Sequence, residues 1–186
     1  MKIRTVATCL GLLLFASLTL AQDKPASAAP SAQDKAARPS PPAKASCSLG
    51  DGATVTVDYS SPRAKGRKIF GGLVPYGEVW RLGANEATTF VVSSDVAVGG
   101  TKVPTGSYTL FAVPNADKWT LVISKKTGEW GTKYAGRDSD LARVDMKAST
   151  LPAPMENFTI SFDKTGPGCT MHAEWEKTRA SVDITK

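Results

Sequence analysis

Histidine is almost missing from this chain, with His172 alone, and cysteine is scarce, at Cys9, Cys47 and Cys169. One histidine and no CxxC pair leave the usual zinc patterns without enough ligands. No G-x-S-x-G elbow is present and His172 has no evident serine and aspartate partners, so serine hydrolase chemistry lacks support. The glycines between Gly66 and Gly83 are not followed by a helical pattern, which removes phosphate loops and dinucleotide fingerprints, and no cofactor is implied. Long amphipathic helices are missing too. The longest apolar run, Leu10 to Leu20, falls short of the roughly 20 residues that span a bilayer.

What is present begins with an export pattern. Lys2 and Arg4 precede that apolar run, and Thr19-Leu20-Ala21 is a small-residue cleavage site, so residues 1–21 read as a secretory signal and Cys9 leaves with it. No transmembrane segment is expected after cleavage, and the localisation is periplasmic or secreted. Residues 22–46 are mostly Ala, Pro, Ser, Lys and Gln with no aromatic or β-branched residue, a composition that cannot offset the entropy of ordering and reads as a flexible spacer. The tetrapeptide Ala-Gln-Asp-Lys recurs at Ala21 and Ala32 as low-complexity duplication without assigned chemistry.

The formal charge of +6 is shared equally among the signal, the spacer and the remainder. The folded part is therefore nearly balanced, and nucleic acid is disfavoured as a partner. One local cluster, Arg63, Lys65, Arg67 and Lys68, is a weak candidate for a small anion or acidic glycan, against a solvated loop. The two cysteines of the exported chain, Cys47 and Cys169, are expected to pair, because an oxidising compartment makes the disulfide the default. Such a bridge would staple the first strand to the penultimate one.

Residues 47–186 have the length of one domain, and their apolar period is two. Val55, Val57 and Tyr59 alternate with Thr54, Thr56 and Asp58, as in a strand with one buried face. Further strands are expected over Thr88 to Ser93, Asp95 to Val98, Ser107 to Val113 and Trp119 to Ser124. Three more centre on Phe158 to Phe162, Met171 to Trp175 and Ala180 to Ile184. Val98-Gly99-Gly100-Thr101 predicts a tight hairpin, since both central residues accept positive φ. Glu129 to Leu141 reads as a loop with one short helical turn. Cys169 shares the parity of Met171 and Trp175 and is expected to face the core. The pattern predicts an all-β, two-sheet antiparallel β-sandwich of about 8–10 short strands, with a partly closed β-barrel as the competing reading.

The segment KGRKIFGGLVPYGEVWRLGANEAT, from Lys65 to Thr88, is followed by the turn-strand Pro-Thr-Gly-Ser-Tyr-Thr-Leu-Phe, Trp119, Trp130-Gly131 and Glu174-Trp175-Glu176. In this order the blocks resemble the bacterial domain-of-unknown-function family 2911, over essentially Gly50 to Lys186. The resemblance implies an exported, mostly β domain and carries no catalytic role onto any position.

The same segment is the expected working surface. Tyr76 and Trp80 offer stacking faces, Arg81 and Glu86 a charge-assisted pair, and Asn85 a donor and an acceptor, which makes these five the candidate ligand-binding residues. The alternative is a self-satisfied structural corner. His172 shares a polar strand face with Thr170, Glu174 and Glu176, a row that lacks the convergence of a metal site, so no metal is assigned. Glu78, Glu86 and Asp58 could form a glycosidase-type pair only at a suitable separation. Three readings follow. The first is a non-catalytic envelope module that binds a glycan, peptide or small anion. The second is a hydrolase or metal-assisted enzyme using Arg81, Asn85, Glu86 and His172, and the third is a structural scaffold.

Overall fold

The computed structural model describes residues 31–131 and 133–186. The signal reading and the first part of the spacer lie outside them. Among the described residues the fold is all-β and antiparallel, with nine strands hydrogen-bonded into a single sheet that is not closed into a barrel. A short helix, α1 (Ala32–Ala36), precedes β1 (Pro42–Ser48), β2 (Thr54–Ser60), β3 (Thr88–Val92), β4 (Val96–Val98) and β5 (Thr101–Val103). Then follow β6 (Gly106–Val113), β7 (Lys118–Ser124), β8 (Asp140–Thr165) and β9 (Gly168–Thr185). Order across the sheet is β1-β2-β3-β6-β7-β8-β9-β4-β5.

Period-two alternation creates β2 and β3, whereas β6 and β7 are continuous buried runs. In β2, Val55 and Val57 are fully buried while Thr54 and Asp58 face solvent, and in β3 Phe90 and Val92 turn inward. Gly99 and Gly100 make the β4–β5 hairpin with Val98 opposite Thr101, as the sequence predicts. The expected helical turn in the 129–141 loop is a single 3-10 turn at Arg137–Ser139. Order begins earlier than the expected boundary at Cys47. Residues 42–46 have no bulky apolar side chain, but they pair in register with Thr56 to Ser60, so the ladder with β2 makes them a strand where their composition alone would not.

Two strands are far longer than expected, and they are folded in half. On β9, Thr170 bonds Asp183, His172 bonds Ser181, and Glu174 pairs with Arg179. Residues 13 apart along an extended strand would be separated by about 43 Å, so these contacts require the strand to reverse. The reversal centres on Glu176, whose φ is 53°. Strand β8 follows around the outside: residues 147–150 pair with 178–181, and residues 159–165 pair with 168–174, with register shifts between them. Leu151-Pro152-Ala153-Pro154 occupies the shift, where two prolines without N–H groups interrupt the ladder. The separate strands expected around Met171 and Ala180 are thus the two arms of β9.

This folded ribbon brings residues 156–164 of β8 against the far end of the sheet. Ser61 Oγ donates to Phe158 O at 2.7 Å, Phe158 N to Pro62 O at 2.9 Å, and Ile160 N to Tyr59 Oη at 3.0 Å. The ribbon edge is therefore satisfied by side chains and loop carbonyls instead of a continuous ladder. Cys47 and Cys169 form a disulfide across the same gap, with Cα atoms 6.6 Å apart. It joins the first strand to the last, β9, and Cys169 is fully buried on the core side, as its parity predicts. One apolar cluster fills the interior, centred on Phe70, Trp80, Trp119, Phe158 and Trp175.

Candidate functional site

The chain between β2 and β3, residues 61–87, makes no strand and spans one end of the fold. Its backbone is fixed at both ends. Ala64 N donates to Glu156 O at 2.8 Å and Ile69 N to Glu176 Oε2 at 3.2 Å, which ties the loop to the ribbon. Trp80 exchanges two 2.8 Å backbone hydrogen bonds with Ala112 on β6. Its indole stacks on Trp175 with centroids 6.0 Å apart and meets Phe158, Phe70 and Trp119 edge-on. The expected stacking platform is thus largely committed to the core, with part of its surface left open.

Immediately after Trp80 the backbone is forced into rare conformations. Leu82 has φ 50° and Asn85 φ 55°. Leucine does not choose that region, and complete burial of its side chain holds it there. Beside this locked neighbour, Arg81 is only partly buried. Its Nε donates to Gly83 O at 3.4 Å, its NH1 lies beside Gly131, and among the described residues no carboxylate pairs with it. Burial draws the guanidinium below its ordinary value, which is the signature of a desolvated cation without a counter-ion.

Arg81 and Trp80 line a cavity of about 300 Å³ together with Arg67, Leu73, Ala84 and Trp175. Arg67 thus joins the predicted corner from the weaker basic cluster. Its Nε and NH2 are held by Ala64 O and Arg63 O at 2.9 and 2.6 Å. The other three cluster cations stand elsewhere: Arg63 is engaged with Ser61, and Lys65 and Lys68 are exposed. Tyr76 is 47 % exposed and packs its ring over Gly71, where a Cβ would lie 2.8 Å from Tyr76 Cε2; it does not line the cavity.

The expected Arg81–Glu86 pair does not form. Glu86 instead takes Arg38 NH1 at 2.9 and 3.0 Å and Lys35 Nζ at 3.3 Å, both from the segment expected to be spacer. Burial raises the Glu86 carboxyl, but its own amide, Arg38 and Lys35 together outweigh that and hold it below the ordinary range. Asn85 Nδ2 donates to Ser40 O at 2.9 Å, so its role is to fasten the same segment. The reason for the separation is a short bridge: Ala87 N donates to Glu129 O and Gly131 N to Asn85 O, both at 3.1 Å. That bridge turns Glu86 to one side and leaves Arg81 on the other.

His172 is not on a solvated face. It is buried, with Nδ1 2.8 Å from Ser181 Oγ and Nε2 3.0 Å from Asp163 Oδ2, because the reversed β9 covers it with its own second arm. It stands apart from Arg81, Asn85 and Glu86, which do not converge with it in either cavity. Glu78 is exposed, whereas Asp58 and Glu86 line a second cavity with Glu129 and Trp130. Lys35, Arg38 and Glu129 are the site residues that sequence reasoning missed. The signal for them was weak, since cations in a proline-alanine tract and a carboxylate in a loop have no pattern.

Residues 40–184 match the family described as "Protein of unknown function (DUF2911)". The chain belongs to this family. The matched span covers the Arg81 cavity and the bridge, and stops short of Lys35 and Arg38 on the N-terminal side. No curated protein and no solved structure matches the chain. This member of the DUF2911 family therefore brings its own geometry as the main guide to what it does.

Proposed function

We propose that the protein is an exported, non-catalytic binding module of the bacterial envelope whose Arg81 cavity takes an anionic group carried on a flat or apolar body. The observation that carries this reading is the half-buried Arg81 guanidinium without a carboxylate partner among the described residues, at the wall of a cavity floored by Trp80 and Trp175. A desolvated arginine prefers planar oxyanions, which it meets with paired hydrogen bonds, and Arg67 adds a second positive charge. The indoles and Leu73 supply apolar contact for the remainder of the ligand. A carboxylate or phosphate of a peptide or acidic glycan fits this combination, and a neutral sugar does not.

Calorimetric titration of the purified protein with benzoate, inorganic phosphate and glucose tests the reading. Benzoate or phosphate should bind, and Arg81→Ala should weaken binding about 10- to 100-fold, the equivalent of one charge-assisted contact. Glucose should give no heat. Failure of both anions to bind, or equal binding by wild type and Arg81→Ala, overturns the proposal.

A further inference from the structure

The cavity on the other side of the Asn85–Ala87 bridge has the opposite charge. It measures about 350 Å³ and is lined by Asp58, Glu86 and Glu129, with Tyr59 and Trp130 as aromatic walls. The chain already places cations at its mouth. Lys35 and Arg38 both end on Glu86, and the Arg38 guanidinium carbon lies 5.9 Å from the centroid of the Trp130 ring. Asp58 is paired at 3.3 Å with Lys44.

Glu129 is different. Its side chain is only 8 % exposed, its Oε1 is 3.9 Å from Lys126 Nζ, and its Oε2 is buried with no hydrogen-bond partner among the described residues. A buried carboxylate oxygen without a donor is costly, and neither resident cation reaches it. The cavity therefore has an unmet demand for a cationic donor, next to an indole that is 56 % exposed.

We infer that this cavity is a binding site for the arginine or lysine side chain of a basic peptide segment, and that Lys35 and Arg38 are its resident competitors. Arg38 displays the mode of recognition: a guanidinium donating to Glu86 beside the face of Trp130. An incoming side chain would displace Arg38 and extend to Glu129 Oε2. The segment that carries both cations is fastened by few contacts, chiefly those to Glu86 and the Asn85–Ser40 hydrogen bond, so it can leave without disturbing the sheet. Because the occupant is tethered to the cavity, its high effective concentration suppresses binding in trans.

Calorimetric titration with the peptides acetyl-Ala-Arg-Ala-amide and acetyl-Ala-Ala-Ala-amide, and with spermidine, tests the inference. The arginine peptide should bind, and the Lys35→Ala/Arg38→Ala double variant should bind it about tenfold more tightly. Adding Glu129→Gln to that background should reduce affinity at least about tenfold. Trp130→Ala, a change at an exposed ring, gives the same loss and decides the matter if Glu129→Gln fails to fold by circular dichroism. Unchanged affinity in the double variant, undiminished affinity without Glu129 or Trp130, or preference for spermidine over the peptide overturns the inference.

Discussion

At the scale of single residues, this protein is governed by what is paired and what is not. Glu174 is buried, and its partner is Arg179 from the returning arm of β9. Arg179→Ala would leave that carboxylate without its donor, and urea unfolding should register a loss of about 1.5–3 kcal/mol. Arg179→Lys should recover part of it. Glu86 gives a different expectation, because its carboxyl is held below the ordinary value of 4.5 in the folded protein. A depressed carboxyl contributes stability that is complete above its unfolded value and is lost as pH falls through its folded value. Attachment of the Lys35–Arg38 segment should therefore persist at neutral pH and release in acid, below 4.5. The indole N–H resonance of Trp130, under the Arg38 guanidinium, should titrate in that window and lose the transition in Arg38→Ala.

Among the elements, tight turns and folded strands decide the outcome. The β4–β5 hairpin needs Gly99 twice over. Its φ is 52°, a region that side-chain-bearing residues adopt only at a cost, and a Cβ there would run into Val144 Cγ1 of β8, so conformation and space both disfavour a side chain. Gly99→Ala should destabilise the protein by about 1–3 kcal/mol, read as a lower urea midpoint at unchanged slope. Gly100→Ala, at φ 79° but with nothing within 4 Å of its Cβ, should cost less. The strands β2 and β3 were legible in the sequence because each buries one face and alternation records that directly, and β6 and β7 because they are continuous apolar, β-rich runs, buried on both faces, between turn signals. The folding of β9 was not, because the buried His172 and Glu174 look like solvent-facing residues until Ser181 and Arg179 return to cover them.

On the scale of the whole molecule, the fold has a gap between its first two strands and the folded ribbon, bridged by side-chain hydrogen bonds from the end of β2 and by Cys47–Cys169 from β1. The disulfide joins residues 122 apart in sequence. The chain-entropy account assigns a loop of that length about 5 kcal/mol, most of it through restriction of the unfolded chain. A Cys47→Ser/Cys169→Ser variant should therefore unfold at a clearly lower urea concentration, with a loss approaching that figure. If the midpoint is unchanged, the hydrogen bonds that Tyr59, Ser61 and Pro62 share with Ile160 and Phe158 hold the gap unaided.

The sequence alone determined that the chain is all-β and antiparallel and which apolar residues face inward. It also marked Cys47 and Cys169 as partners and Trp80 and Arg81 as members of one corner. These follow from local rules, namely alternation, turn chemistry and the redox preference expected from an export pattern in the sequence. Only the tertiary structure decided that Arg81 and Glu86 lie on opposite sides of a backbone bridge, that Arg67 joins the first, and that Lys35 and Arg38 pair with Glu86 on the second. The physical reason is that charge pairing is set by distance in space. Lys35 and Arg38 are about fifty residues from Glu86 along the chain, and nothing in their own surroundings says where the fold will carry them.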